Sequence, residues 1–377
     1  IAAYRLLKGL QQSDVLAQML IQSKENDDYS VIGPEIKWQK FFGMLRPALD
    51  SIPVRFYKKR KKVIFSSAII PDNISKKVKN INPDIVHLHW IAGGFIKIES
   101  LAKIKKSIVW TLHDMWAFSG GCHYDEECGK YISNCGQCPL LNSNKRNDLS
   151  SKILKRKEKA WENLDLTIVT PSSWLGECAK KSSLFNKTRV EVIPNGIDMN
   201  RFKPIDKNIA RDILCLPTDK KLILFGAMSA LSDKRKGYPL LKEALKNFSS
   251  KEKKDIELVI FGSSRLKNEE NLGFKTHYLG RLNDEISLAL VYSASDAMIV
   301  PSIQDNLPNT IMESISCGTP VVAFDVGGIH DMIDHKKNGY LVMPFDTTDL
   351  AHGIKWVLET RGRKVVKIKL IRKTVRL

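Results

Sequence analysis

Two carboxylates, Asp305 and Glu313, are spaced as D-x7-E within the stretch 299–324, IVPSIQDNLPNTIMESISCGTPVVAF. Ala297 to Pro301 reads as a strand, Ser302 to Pro308 as a loop, and Asn309 to Cys317 as a helix with Asn309 as its N-cap. Gly318 and Pro320 close the helix, and Val321 to Phe324 forms a second strand, completing a βαβ unit. In open parallel sheets ligands sit beyond the carboxyl ends of the strands, and helix N-termini there attract phosphates. The two acids therefore flank a candidate anion site. The plain alternative is a solvated loop Asp beside a Glu that pairs with the helix dipole.

A second set of chemically capable residues, Ser232-Asp233-Lys234-Arg235-Lys236-Gly237, follows the apolar run 221–226. Cations at a strand's carboxyl end suit a diphosphate, because Lys and Arg neutralise phosphoryl oxygens. As pattern alone, the same residues also make a solvated basic loop. A third set closes two earlier strands: IVHLHW (85–90) carries His87 and His89, and SIVWTLHD (107–114) ends in His113-Asp114. His87 and His89 share a strand face and read as packed core histidines. His113, at a strand end beside a carboxylate, is the better catalytic candidate. Four cysteines, Cys122, Cys128, Cys135 and Cys138, follow with C-x5-C-x6-C-x2-C spacing. Thiolate ligation of one structural zinc is the leading expectation, with His123 able to replace a ligand; reduced buried thiols come next and a disulfide last.

The elements that must position these groups alternate as strand and helix through two series, Ile85 to Ile193 and Lys221 to Phe324, which argues for two parallel-sheet, Rossmann-like α/β halves. The stretch 197–204 reads as a linker, and the stretch from Tyr29 to about Lys62 as irregular. At 377 residues and 43% hydrophobic content, two domains with real cores are expected. No apolar run is long enough to span a bilayer and no signal-peptide pattern opens the sequence, so the expected location is cytoplasmic. The net charge of +19 concentrates in Lys58-Lys59-Arg60-Lys61-Lys62 and in a tail past Glu359 that contains no acid. Such runs are solvated faces, anionic membrane contacts or nucleic-acid contacts; with no interleaved aromatic motif, no nucleic-acid partner is expected. G-x-G-x-x-G, GxxxxGK[ST] and G-x-S-x-G are all missing from the sequence, which disfavours hydride transfer, P-loop chemistry and nucleophile-elbow hydrolysis.

Several of these stretches together resemble the retaining, nucleotide-sugar-dependent glycosyltransferases of family four, with the GT-B fold. VIPNGIDMNRFKP (192–204) is similar to that family's interdomain signature, Asp305 to Glu313 to its paired-acid motif, and Lys236-Gly237 to its Lys-Gly pair. Gly327-Gly328 and Asn338-Gly339 are similar to its later glycine landmarks. HLHW, TLHDMWAFSGGCHY, CGQCP and QDNLPNTIMES resemble the subgroup that assembles exopolysaccharide, capsule or O-antigen. The resemblance implies two Rossmann-like domains facing each other across a cleft: an acceptor domain over 1–194, a linker over 195–204, a nucleotide-sugar domain over 205–359, and a basic tail over 360–377. It implies transfer of a sugar, with retention, from a nucleoside diphosphate sugar to a glycan acceptor, often lipid-linked, with no metal required for catalysis. Glu313 would hold the ribose. Lys236 and Arg235 would hold the diphosphate, near Gly226. Asp305 and the backbone of Asn306 and Leu307 would face the donor sugar, and His113 the reacting centre. Lys58–Lys62 is the candidate contact with an anionic membrane surface, giving a peripheral position on the inner face of the plasma membrane. Two departures stand out: Asp305 replaces the family's first Glu, and Ala227 follows Gly226 where many members carry Arg. The family's first strand and its glycine-rich loop are expected upstream of Ile1. A non-catalytic nucleotide-sugar-binding remnant and a GT-B-type epimerase are the alternatives.

Overall fold

The computed structural model describes residues 1–25, 27–226, 231, 233–264 and 271–360. Ala227, Met228, Ser232 and the basic tail beyond residue 360 lie outside the described residues. The chain divides into two compact units, Ile1–Pro194 and Asn195–Leu377.

In the first unit β1 (Met19–Leu20) pairs in parallel with β2 (Val31–Ile32). A four-stranded parallel sheet then runs in the order β3 (Ile85–Leu88), β4 (Ser107–Thr111), β5 (Leu166–Thr170) and β6 (Arg189–Val192). Helices Leu149–Trp161 and Ser173–Lys181 begin where an Asp and a Ser can satisfy exposed amides. Asp148 accepts from Ser151 N and Ser172 from Leu175 N. Aromatic rings fill this core: Trp110 packs edge-on against Trp161 at 5.2 Å, and Phe118 tilts against Tyr131 at the same separation.

The second unit is a six-stranded parallel sheet. Its strands are β7 (Lys221–Gly226), β8 (Ile256–Phe261), β9 (Thr276–Tyr278), β10 (Ala297–Val300), β11 (Val321–Phe324) and β12 (Gly339–Val342), in the spatial order β12-β11-β10-β7-β8-β9. KLILFG, IELVIF, AMIV and VVAF are buried nearly end to end, as strands covered by helices on both faces must be. The chain winds outward from β7 to β9, returns to β10 beside β7, and winds the other way. The switch point therefore lies between β7 and β10, and in sheets of this kind ligands bind there, beyond the strands' carboxyl ends. Residues 195–204 pack within this unit, with Phe202 fully buried in its core. No helix among the described residues is long and apolar enough to cross a membrane.

Boundaries shift in places. Pro308, not Asn309, occupies the N-cap of helix Asn309–Ser316, and no side chain caps it. Asn309 is the first helical residue; its Oδ1 accepts from Asn195 Nδ2 at 3.4 Å. Residues 37–50, expected to be irregular, form a helix. Helices Ile74–Ile81, Lys207–Ile213 and Thr347–Thr360 add to the expected elements.

Candidate active site

The loops that leave β7 and β10 bring Arg235, Lys236 and Asp305 together at the switch point. The turn Lys234–Lys236 starts from Asp233, whose side chain accepts from Arg235 N. Gly237 then adopts φ +72°, and a Cβ there would lie 1.7 Å from the Pro301 carbonyl oxygen, so the turn reaches the β10 loop only because residue 237 has no side chain. The loop is held from this side by Ile303 N donating to the Arg235 carbonyl at 2.8 Å and by Arg235 donating to the Gln304 carbonyl at 3.1 Å. From the other side Gly327, at φ +58°, presses against the Asp305 carbonyl oxygen, 1.8 Å from where its Cβ would be, and Gly328 N donates to that oxygen at 3.2 Å.

Asp305 is 6% exposed. Its Oδ2 receives Lys236 Nζ at 2.7 Å and faces Arg235 at 3.3 Å, and its Oδ1 accepts from Asn306 N at 3.1 Å. Burial pushes this carboxyl up, but the two cations and the hydrogen bonds outweigh it and hold its pKa below the ordinary carboxylate value. Asn306 and Leu307 are buried beside it. Glu313, one helix further on and 3% exposed, accepts from the Tyr292 hydroxyl at 2.9 Å. Gly226 closes β7 beneath the Phe261 ring, 2.2 Å from where a Cβ would stand, so its glycine is explained by packing. An anion here would meet two cations held in place by the Asp305 carboxylate, Arg235 also by the Gln304 carbonyl, rather than a loose basic loop.

In the first unit, the ends of β3 and β4 stack three imidazoles. The His87 and His89 rings lie 4.6 Å apart and those of His89 and His113 5.3 Å apart, with His89 Nδ1 3.0 Å from His113 Nε2. His87 Nε2 lies 2.8 Å from Thr111 Oγ1. Burial lowers the His113 pKa to about 4, which keeps this ring neutral at physiological pH. The adjacent Asp114 takes a different path, as an anchor. It accepts from Trp90 Nε1 at 3.0 Å and from Trp116 N at 2.8 Å, and pairs with His123 Nδ1 at 2.6 Å; His123 Nε2 in turn meets Ser66 Oγ at 2.9 Å. The order Ser-His-Asp is that of a hydrolase relay, but Ser66 and His123 are 4% and 3% exposed, so the relay pins the loop 114–123 instead.

The cysteines do not bear out the zinc expectation. Among the described residues no group of three or more His, Cys, Asp or Glu side chains could hold a metal ion. Cys122, Cys128, Cys135 and Cys138 are free thiols, and burial raises all four pKa values, that of Cys135 to about 12. His123 is already engaged by Asp114 and Ser66. The spacing reflects packing of the loop against the core. Sequence reasoning missed Tyr292, which has no spacing relation to Glu313. It also missed Lys157, a fully buried lysine that donates to the Trp116 and Ser119 carbonyls, with its ammonium 3.9 Å from the Trp116 ring centre. One Lys among the four in the helical run 149–161 carries no signal of burial.

Two Rossmann-like units, the second with cations at its switch point, are a scaffold that many chemistries share, and the sequence comparisons narrow the class. The profile described as Glycosyltransferase Family 4 matches residues 4–201, and that described as Glycosyl transferases group 1 matches residues 206–371. The chain belongs to this family of glycosyltransferases and has its GT-B fold. It is 27% identical to an uncharacterized glycosyltransferase of Methanocaldococcus jannaschii over 74% of each chain. It is 26% identical to the putative colanic acid biosynthesis glycosyl transferase WcaC of Escherichia coli, over 65% of this chain and 60% of that one. Among solved structures, sucrose-phosphate synthase from Thermosynechococcus elongatus superposes with a TM-score of 0.66 at 20% identity, covering 98% of this chain and 86% of that one. Anabaena HepE in complex with UDP superposes at 0.54 and 18% identity, covering 78% and 74%.

Proposed function

We propose that the protein is a retaining glycosyltransferase that moves a sugar from a nucleoside diphosphate sugar to a lipid-linked glycan acceptor in bacterial surface polysaccharide assembly. The observation that carries the reading is the convergence of Lys236, Arg235 and Asp305 at the switch point of the second unit's sheet. In this reading residues 205–359 take the donor and residues 1–194 the acceptor, joined through 195–204. Lys236 and Arg235 neutralise the diphosphate as negative charge develops on the leaving group, a task that cations fixed in advance perform without reorganisation. Asp305 would then exchange some of its hold on these cations for the donor sugar, beside the Asn306 and Leu307 backbone. Glu313 takes the ribose hydroxyls, oriented by Tyr292. His113, neutral, serves the reacting centre from the acceptor domain. UDP in the HepE complex and the colanic acid role given for WcaC support a nucleotide-sugar donor and a glycan product. A lipid-linked acceptor is met at a bilayer, and Lys58–Lys62 is the run that would face anionic headgroups, at the inner face of the plasma membrane.

Incubation with a panel of nucleotide sugars and lipid-linked acceptors, with the product's anomeric configuration read by NMR, tests this. The expected product retains the donor's configuration and is lost in Glu313→Gln. Epimerised donor formed without acceptor, or no turnover of any donor, would contradict it.

A further inference from the structure

The helix Lys37–Asp50 and the short helix Ile52–Arg55 that continues it are amphipathic in reverse. The inner face of the longer helix is small and polar, while the shorter one sends Val54 into the core. Gly43 is buried where a Cβ would meet the Gln22 carbonyl oxygen at 2.8 Å. Arg46 donates to the Gly94 and Pro71 carbonyls at 2.6 and 2.9 Å, and buried Asp50 accepts from Ser67 N and Ile69 N at 3.1 and 3.0 Å. The outer face is apolar. Trp38, Phe42, Leu45, Leu49, Ile52 and Phe56 follow one another in alternating steps of four and three residues, which aligns them along one side of a helix, and every one is exposed, Trp38 at 72% and Phe56 at 81%. A helix that docks through hydrogen bonds and turns a continuous apolar stripe outward leaves a surface that a partner covers.

The charges select the partner. Between residues 36 and 62 the cations are Lys37, Lys40, Arg46, Arg55 and Lys58-Lys59-Arg60-Lys61-Lys62, while the sole acid, Asp50, is buried and already bonded. Pairing this face with a second copy, or with another basic helix, would set like charges against each other. An anionic lipid surface offers the stripe a hydrocarbon boundary and the lysines a layer of phosphates. Aromatic side chains flanked by Lys are suited to that boundary. We propose that residues 36–62 lie in the plane of an anionic bilayer, the stripe from Trp38 to Phe56 seated at the headgroup–acyl boundary and Lys58, Lys59 and Lys62 on the phosphates. This rests on the reading of Lys58–Lys62 as a lipid contact and adds insertion of an apolar face to what that reading treats as charge alone.

Co-sedimentation of the full chain with phosphatidylcholine vesicles, with and without roughly a third of phosphatidylglycerol, tests it without donor or acceptor, so loss of transferase activity cannot mimic its failure. Binding to the anionic vesicles is expected, and high salt should release it only in part. Trp38→Ser/Phe42→Ser/Phe56→Ser, all at exposed positions and checked for an unchanged circular dichroism melt, should lower partitioning by about 100-fold and leave a remainder that salt removes completely. Lys58→Glu/Lys59→Glu/Lys62→Glu should remove the salt-sensitive part. Wild-type binding that salt abolishes, or an apolar variant that partitions like wild type, overturns insertion while leaving the charge contact standing. No binding to either vesicle, with concentration-dependent dimers in sedimentation velocity, overturns both.

Discussion

Lys236→Met removes the nearer of the two cations on a nearly buried carboxylate. The side chains of Lys236 and Asp305 are 18% and 9% exposed, and they meet at 2.7 Å. Breaking a buried pair from one side costs about 3–5 kcal/mol. Here Arg235 remains at 3.3 Å and the lysine keeps some solvent, so the cost falls to roughly 2 kcal/mol. For a unit of this size that corresponds to a fall of about 4–8 °C in Tm. The sign of the pH dependence follows from the depressed Asp305 pKa. A carboxyl whose folded pKa lies below its unfolded value stabilises the fold above the unfolded value and loses that contribution as pH falls through the folded one. Scanning calorimetry should therefore show the full difference between wild type and variant at pH 7, closing below about pH 4. An unchanged melting transition at pH 7, or a difference that does not depend on pH, would refute the assignment of Asp305 as an ionised partner of these cations.

Gly237→Ala should be costlier than an ordinary surface substitution, at roughly 3 kcal/mol or more, because φ is +72° and the new Cβ would overlap the Pro301 carbonyl oxygen; denaturant unfolding measures it, and a loss under 1 kcal/mol would show that the turn does not need glycine. His113→Ala should abolish transfer while leaving nucleotide affinity unchanged. Because burial holds His113 neutral down to about pH 4, the wild-type pH–rate profile should have no limb from this residue between pH 5 and 8. A limb in that window that disappears in His113→Ala would count against a neutral imidazole.

What the sequence disclosed and what it hid have physical reasons. The strands of the second unit are apolar runs bounded by turn residues, and β7, β8, β10 and β11 stand where those runs predict. The loops after β7 and β10 stood out by their cations and acid at strand ends, but pattern alone could not separate them from solvated loops, and their pairing as Lys236, Arg235 and Asp305 is seen only in three dimensions. Helix Lys37–Asp50 was hidden because its apolar residues face outward and its inner face holds Gly43, Arg46 and Asp50, which reverses the signal that marks a packed helix. The cysteine cluster misled because spacing cannot tell a ligand set from thiols buried one by one. The partnership of Glu313 with Tyr292 depends on two helices crossing, which no local pattern records.

On the proposed function, the switch point between β7 and β10 binds a nucleoside diphosphate through Lys236, Arg235 and Glu313. Isothermal titration of wild type, Lys236→Met and Glu313→Gln with UDP, GDP and ADP measures this. One of these nucleotides should bind the wild type, and each substitution should weaken it by roughly 10-fold or more, the loss expected for one hydrogen bond to a charged group. Binding that neither substitution alters, or no binding of any nucleotide to the wild type, would contradict it.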